Sequence, residues 1–171
     1  MKTPQPIVDF TALLEAIEPR VQVSVDAPDL LEGEFFLDVA FAGFATEVSY
    51  RSEVGFGLFV SDGEFGQKPD EIFKSPQKAA IRIQQLKQLF EAEGRLAPLG
   101  LADLRALLGL TQVQLAASLG VTQPTVQRAE KQPNPQLESI AGFVAAMGGR
   151  LETKVVFGDM EARLDFPRVT A

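Results

Sequence analysis

The segment 111–132, with the sequence TQVQLAASLGVTQPTVQRAEKQ, decides the fold of the C-terminal half of this chain. It predicts two short helices joined by a tight turn. Thr111 and Gln114 have the spacing of a capping box, in which each side chain binds the other residue's backbone N–H at the start of a helix. Gly120 stands where the first helix must end and the chain must reverse, a position that favours a residue able to adopt a positive φ.

The second helix of this pair is predicted from the residues that follow Gly120. Thr122 can cap it, and Pro124 falls in its first turn, where a missing N–H is not needed for helical hydrogen bonding. Val126 then points back at the first helix. The remaining faces of the second helix carry polar side chains, namely Gln123, Thr125, Gln127 and Arg128.

The segments on both sides complete a small helical bundle. Leucines between residues 101 and 108 share one helical face, and Gly109 ends that helix. After Pro133 and Pro135 a further helix is predicted to run to Met147. Its expected core face consists of Leu137, Ile140, Phe143 and Val144.

This arrangement resembles the XRE-type helix-turn-helix family over about a third of the chain. The residues that carry the resemblance are Leu104-Arg105, Gly109-Leu110-Thr111-Gln112, Leu115-Ala116, Leu119-Gly120-Val121-Thr122-Gln123, Val126 and Glu130. The segment 146–152 also resembles the end of HigA-type antitoxins. The resemblance implies a homodimeric transcriptional repressor that binds a palindromic operator in double-stranded DNA, and the antitoxin of a toxin–antitoxin pair.

Candidate DNA-binding residues follow from this resemblance. The second helix of such a motif enters the major groove by its N-terminal end, where Gln123 can read adenine and Arg128 can read guanine or hold a phosphate. Gln112 matches the position that grips the phosphate backbone. The expected backbone or rim contacts are Thr122, Thr125, Gln127 and Lys131. Glu130 is expected to pair within the bundle, because a carboxylate beside phosphate is repelled.

Residues 1–95 predict a small antiparallel sheet with helices on one side, so the fold class of the chain is α+β. Strand patterns cover residues 21–25, 34–42, 45–51 and 54–60. A short helix capped by Asp9 or Thr11 is predicted after an extended segment 1–8. A longer helix starts at Ser75-Pro76 and ends at Gly94. Glycines at 55 and 57 leave one sheet face open to close approach.

The C-terminal residues 150–171 predict a β-hairpin. The segments 151–157 and 160–166 alternate between apolar and polar residues around Gly158-Asp159. A two-stranded ribbon is marginal alone, so it is expected to join a sheet or a partner chain as a dimerisation element. The predicted domains are therefore 1–95, 96–149 and 150–171.

Composition narrows the function. The chain has no cysteine and no histidine, which removes disulfides, thiolate metal sites and the commonest general base. We expect no catalysis, no cofactor and no metal. No apolar run is long enough to span a membrane, so a cytoplasmic protein is expected.

The glycines at 55, 57 and 63 are interpreted as turn and bulge residues rather than a phosphate loop. The acidic residues Asp62, Glu64, Asp70 and Glu71 are interpreted as a solvated loop.

Charge is distributed unevenly. The net charge is −7, and residues 1–95 hold 9 basic and 16 acidic side chains, whereas residues 96–150 hold 4 and 3. An acidic N-terminal domain suits a basic partner such as an RNase-type toxin, whose own substrate is polyanionic. The alternative is a small-molecule-sensing N-terminal domain, which would make the protein a one-component transcriptional regulator.

Overall fold

A computed structural model describes residues 3–28, 33–60, 68–94, 99–158 and 160–164, and the chain divides into two compact units, Met1–Leu99 and Gly100–Ala171. The first unit contains, in order, α1 (Gln5–Ile17), β1 (Gln22–Asp26), β2 (Phe35–Phe41), β3 (Phe44–Arg51), β4 (Gly55–Leu58), β5 (Glu71–Phe73) and α2 (Pro76–Glu93).

The strands of the first unit form one antiparallel sheet in chain order, from β1 to β5 in the described residues. Burial alternates along β2, where Phe35 and Leu37 are buried and Phe36 and Asp38 are exposed. The inward-facing strand residues share one hydrophobic core with the apolar faces of both helices. From the helices that core takes Ile7, Phe10, Leu14, Ala79, Ala80, Ile83 and Leu86. The predicted sheet with helices on one side is confirmed.

The start of α1 differs from the prediction. Residues 1–8 were expected to be extended, but the helix begins at Gln5, with Pro6 in its first turn. Proline in the first turn loses no helical hydrogen bond, and Ile7 behind it is only 1% exposed in the core. Burial of that side chain therefore extends the helix past the expected caps.

The acidic loop prediction is wrong for Glu71, whereas Asp70 is exposed just before β5, as predicted. Glu71 lies in β5 and accepts hydrogen bonds from Nε and Nη2 of Arg82, both at 2.8 Å. The two side chains are 8% and 1% exposed. Asp70 accepts a hydrogen bond from the backbone N–H of Val60 at 2.9 Å. Asp62 and Glu64 lie outside the described residues.

The glycines of β4 are explained by close approach of the chain to itself. A Cβ on Gly57 would lie 2.4 Å from Cγ of Pro69 and 2.6 Å from Oγ of Ser49. A Cβ on Gly55, whose φ is +108°, would lie 2.5 Å from the carbonyl oxygen of Phe73. Both glycines are therefore needed to seat the neighbouring segment and strand.

The second unit contains α3 (Leu101–Leu107), α4 (Gln112–Leu119), α5 (Gln123–Glu130), α6 (Leu137–Ala146), β6 (Thr153–Phe157) and β7 (Met160–Leu164). Leu115, Ala116, Val126 and Phe143 form its buried cluster. Leu137 was expected in this core but is 39% exposed, because it is the first residue of α6 and lies at the end of the bundle-facing stripe. The predicted β-hairpin is confirmed, with Phe157 paired to Met160.

The Gly57→Ala variant tests the packing of β4. The added methyl group must displace Pro69 or Ser49, so we expect the first unit to lose about 1–3 kcal/mol of unfolding free energy. Tyr50 is the one tyrosine of the sequence and its ring centroid lies 4.7 Å from that of Phe56, so its fluorescence reports on this sheet during denaturation. Gly142→Ala is the matched control, because a Cβ there meets nothing within 4 Å. A Gly57→Ala protein as stable as the wild type would contradict this account of the glycine.

Candidate nucleic-acid interface

The pair α4 and α5 is built by local signals in the sequence. Oγ1 of Thr111 accepts a hydrogen bond from the Gln114 N–H at 3.1 Å, and Oε1 of Gln114 accepts one from the Thr111 N–H at 2.8 Å. This is the predicted capping box. Gly120 then ends α4 with a φ of +66°, and its N–H bonds back to the last turn of the helix. The two helices are therefore joined by only three residues.

Val126 fixes α5 against α4. It is fully buried and packs with Leu115 and Ala116 of α4 and Phe143 of α6. Because one side of α5 is committed to this contact, the remaining sides face outward. Thr125, Gln127 and Arg128 are exposed there, as is Lys131 just beyond the helix end.

A hydrogen-bond network organised by Glu130 connects three helices. Arg105 of α3 donates from Nε to Oε1 of Glu130 at 2.5 Å and from Nη2 to Oε2 at 3.2 Å. Nη1 of the same arginine donates to the carbonyl oxygen of Leu110 at 2.8 Å. Nε2 of Gln112, the first residue of α4, donates to Oε2 of Glu130 at 2.8 Å. The carboxylate thus holds α3, α4 and the last residue of α5 together, which confirms the pairing predicted for Glu130.

The environment of Glu130 favours its charged form. Its side chain is 4% exposed, and this burial alone would raise the pKa of its carboxyl group. The hydrogen bonds from Arg105 and Gln112, together with the arginine's charge, outweigh that effect and hold the pKa below its ordinary value.

The network extends to the first residue of α5. Nε2 of Gln123 donates to Oε1 of Gln112 at 2.6 Å, so the two predicted site residues lie in contact. Both are partly buried. Because Nε2 of Gln112 donates to Glu130, Oε1 of the same side-chain amide faces Gln123. The orientation of both amides is therefore determined by the carboxylate.

Thr122 occupies the N-cap position of α5, as predicted, but its hydroxyl group does not cap the helix. That oxygen lies 2.9 Å from Oγ1 of Thr125, and the first-turn N–H groups receive no side-chain bond from Thr122. The hydroxyl groups of both threonines are exposed beside the N-terminus of α5. The capping hydrogen bond was a wrong prediction.

Arg105 is the functional residue that sequence reasoning missed. It stands in the pattern that carries the family resemblance, but that pattern does not indicate what the side chain binds. It lies 25 residues from Glu130, a separation at which no local rule pairs a cation with an anion. The available signal was the predicted structural role of Glu130, which required a basic partner somewhere in the bundle.

The residues that the structure describes contain no cluster of three or more histidine, cysteine, aspartate or glutamate side chains that could hold a metal ion. Within the same ranges, no helix combines the length and the hydropathy needed to cross a bilayer.

The geometry of α3 to α6 defines a helix-turn-helix domain. Residues 101–152 match the family model described as "Helix-turn-helix", and they include the segment that resembles the XRE type. The segment identified from the sequence is therefore confirmed.

Two solved structures are similar to part of this chain. One structure, described as "DNA bound antitoxin HigA3", is 29% identical, covers 44% of this chain and 100% of that chain, and has a TM-score of 0.41. Another, described as "Induced DNA bending by unique dimerization of HigA antitoxin", is 34% identical, covers 40% of this chain and 96% of that chain, and has a TM-score of 0.37. No curated protein matches the chain.

The lowered pKa of Glu130 predicts acid sensitivity of the helix-turn-helix domain. A carboxyl group whose pKa is depressed by folding stabilises the fold above its unfolded pKa, and this stabilisation is lost as the pH falls through the folded value. We expect the Glu130→Gln variant to be less stable by about 1.5–3 kcal/mol at neutral pH, with the difference from wild type shrinking below the ordinary pKa of 4.5.

Hydrogen exchange of peptides from residues 112–130, corrected for intrinsic rates, measures this difference across the pH range. Glu138→Gln makes the same chemical change at an exposed glutamate of α6 and is the control. If the stability difference between Glu130→Gln and wild type stays constant from about pH 3 to about pH 7, the pKa of Glu130 is not depressed.

Proposed function

We propose that this protein is a sequence-specific, DNA-binding transcriptional repressor that inserts α5 into the major groove of its operator. The observation that carries the proposal is the arrangement of α5 itself. Val126 commits one side of the helix to the bundle, while Arg128 is exposed and Gln123 is held by Gln112 at the end that enters the groove. A helix-turn-helix docks in this way, with the N-terminal residues of its second helix on base edges.

Gln123 is proposed to read adenine. An amide nitrogen carries two N–H groups, so the bond to Gln112 leaves one N–H and the carbonyl oxygen of Gln123 for other partners. Adenine presents an acceptor and a donor in the major groove, and glutamine pairs with both. Because Gln112 fixes the amide before DNA arrives, less side-chain entropy is lost on binding.

The phosphate contacts are proposed to come from the rim of the same surface. Thr122, Thr125, Gln127 and Lys131 are exposed around α5, and Gln112 places its backbone N–H at the start of α4. Helix N-termini and hydroxyl groups are common phosphate partners. Residues 96–150 carry a net charge of only +1, which supports few ionic contacts per protomer and a shallow salt dependence. A homodimer on a palindromic operator doubles these contacts.

Arg128→Ala tests the recognition helix. We expect it to weaken binding to the DNA upstream of the protein's own reading frame by about 1–3 kcal/mol, because a base or phosphate contact is lost. Fluorescence anisotropy with that DNA and with a scrambled fragment measures the specific part of the affinity. Arg20→Ala removes the same charge at an exposed position of the first unit and should leave specific binding unchanged. Equal affinity of wild type and Arg128→Ala would remove Arg128 from the interface.

We further propose that the first unit binds a basic protein, in keeping with an antitoxin. Its helices cover one face of the sheet, and the other face exposes Asp26, Asp38 and Glu47. Asp38 and Glu47 are directly opposite each other on β2 and β3, a pairing that like charges disfavour. A cationic partner would relieve this repulsion. Phe36, 38% exposed, and Ile72, 52% exposed, add apolar area on the same face.

A charge-reversed variant tests this sheet face against the product of the neighbouring reading frame. We expect Asp38→Lys/Glu47→Lys to raise the dissociation constant about 100-fold, because it sets like charges against a basic partner. Glu15→Lys/Glu53→Lys makes the same charge change at exposed positions outside the pair and is the control. Isothermal titration calorimetry measures both. An equal loss in the control would show that net charge, and not this face, determines binding.

The sensor alternative would place a small ligand in the first unit. A cleft between α1 and α2 is lined by residues that include Leu14, Phe41 and Lys87, and its volume is about 150 Å³. Pockets for drug-sized ligands are about 300–1,000 Å³. This cleft is therefore smaller than a pocket for a ligand of that size.

A further inference from the structure

Strand β1 (Gln22–Asp26) forms an outer edge of the five-stranded sheet in the first unit. Among the described residues its backbone pairs with β2 alone, in a register that runs without interruption from Gln22 to Asp26. In an antiparallel pair, alternate residues direct their N–H and C=O groups away from the neighbouring strand. The side of β1 that faces away from β2, called here the β1 edge, therefore presents backbone donors and acceptors that a further strand can bind.

The β1 edge lacks the features that usually keep such edges from pairing. Lysine, proline, a bulge or an inward-pointing charge blocks strand addition in many proteins. The sequence of β1, QVSVD, contains neither lysine nor proline, its register has no bulge, and its inward-facing residues are the two valines. The edge strand on the other side of the sheet differs, because β5 has only three residues and is flanked by Pro69 and Lys74. Of these two described edges, that of β1 is the one open to another strand.

The inner side of the β1 edge is incompletely covered. Val25 is paired with Leu37, which is fully buried in the core. Val25 itself is nevertheless 36% exposed, and Val23 on the same face is only half-buried. An apolar side chain on an added strand would lie beside these valines and cover them.

The outer side of the same edge is acidic. Asp26 is exposed on β1, and Asp38 is exposed on β2 opposite Ser24. A residue placed opposite Ser24 on an added strand would lie two strand spacings, about 10 Å, from Asp38. The short serine leaves room for a lysine or arginine to extend across it toward that carboxylate. Since successive side chains of a strand face opposite ways, one alternating sequence can supply basic groups to the outer face and apolar groups to the inner face.

We propose that the basic partner of the first unit docks at the β1 edge by adding an extended segment in which lysine or arginine alternates with apolar residues. The backbone of this segment binds β1, its basic side chains face Asp26 and Asp38, and its apolar side chains cover Val25. A second copy of β1 is a poorer occupant, because it brings another Asp26 and Asp38 to the same acidic face. The inference rests on the proposed function for its choice of a basic partner, and it adds where and in what conformation that partner binds.

An NMR titration of the isotope-labelled full chain tests the proposal with a short synthetic peptide in which lysine and valine alternate. We expect the largest amide shifts at residues 22–26, because the backbone of the peptide bonds to this edge. A second peptide carries the same residues as a block of lysines followed by a block of valines. It keeps the charge but cannot place its lysines on one face of a strand, so it should bind about 10-fold more weakly.

A matched pair of variants tests the edge with the alternating peptide. Val25→Lys sets an inward-facing charge at the β1 edge, which opposes strand addition and repels a basic segment, so we expect the Kd of the peptide to rise about 10-fold. Val54→Lys makes the same change at a valine outside β1 that is 38% exposed, and it should leave the Kd unchanged. Asp26→Lys alters an exposed side chain of β1, carries the same expected rise, and decides the result if Val25→Lys does not fold. The fluorescence of Tyr50 shows whether each variant is folded.

Failure of the wild type to bind the alternating peptide would overturn the proposal. Equal binding of the two peptides, or equal losses in Val25→Lys and Val54→Lys, would do the same, because net charge would then explain the affinity. Amide shifts at residues 22–26 that depend on protein concentration without peptide would show that a second copy occupies the edge, which also contradicts the proposal.

The product of the neighbouring reading frame separates this inference from the proposed function. If that product binds wild type and Val25→Lys equally but binds Asp38→Lys/Glu47→Lys weakly, the protein-binding function stands and the β1 edge is not its site. If the alternating peptide binds as expected but the product does not bind, the β1 edge is retained and the proposed antitoxin function fails.

Discussion

The carboxylate of Glu130 is the interaction on which the helix-turn-helix domain depends. The buried hydrophobic cluster of this unit is small, consisting of Leu115, Ala116, Val126 and Phe143. Such a cluster brings α4, α5 and α6 together but does little to fix the rotation of each helix. The hydrogen bonds from Arg105 and Gln112 to the Glu130 carboxylate fix the rotation of the helices, because charge-assisted hydrogen bonds depend on angle as well as distance. A surface that reads bases needs this accuracy more than it needs additional stability.

The two units differ in the size of their hydrophobic cores and in what else stabilises them. In the first, two amphipathic helices and an alternating sheet share a core large enough to bury six aromatic rings, including the stacked pair Phe10 and Phe56. The buried ion pair of Glu71 and Arg82 fixes the position of α2 relative to β5. Removal of either side chain would leave the other charge buried and unpaired. The second unit has a smaller buried cluster, and capping residues and the Glu130 hydrogen-bond network add to its stability. The acidic unit therefore has its own core, separate from that of the bundle.

Local rules predicted most of the elements, and contacts distant in sequence account for what they missed. Thr111, Gln114 and Gly120 placed α4 because caps and turns act over three or four residues. Ser75 and Pro76 placed α2 in the same way. Local rules do not predict β5, because its three residues become a strand only by pairing with β4. They also do not predict the burial of Glu71, because its partner Arg82 lies 11 residues away. The amide chain from Glu130 to Gln123 joins residues from both helices, so spacing could identify its members but not their bonds.

The two positions proposed to read bases, 123 and 128, differ in how freely they can change during evolution. Arg128 extends from α5 as an exposed side chain, so another residue can replace it with little disturbance to the bundle. Gln123 donates a hydrogen bond to Gln112, and Gln112 donates one to the Glu130 carboxylate that also binds Arg105 of α3. A substitution at 123 therefore disturbs a partner inside the domain unless position 112 changes with it. Paralogues that diverge to new operators should accordingly vary first at 128, while positions 112 and 123 change as a pair.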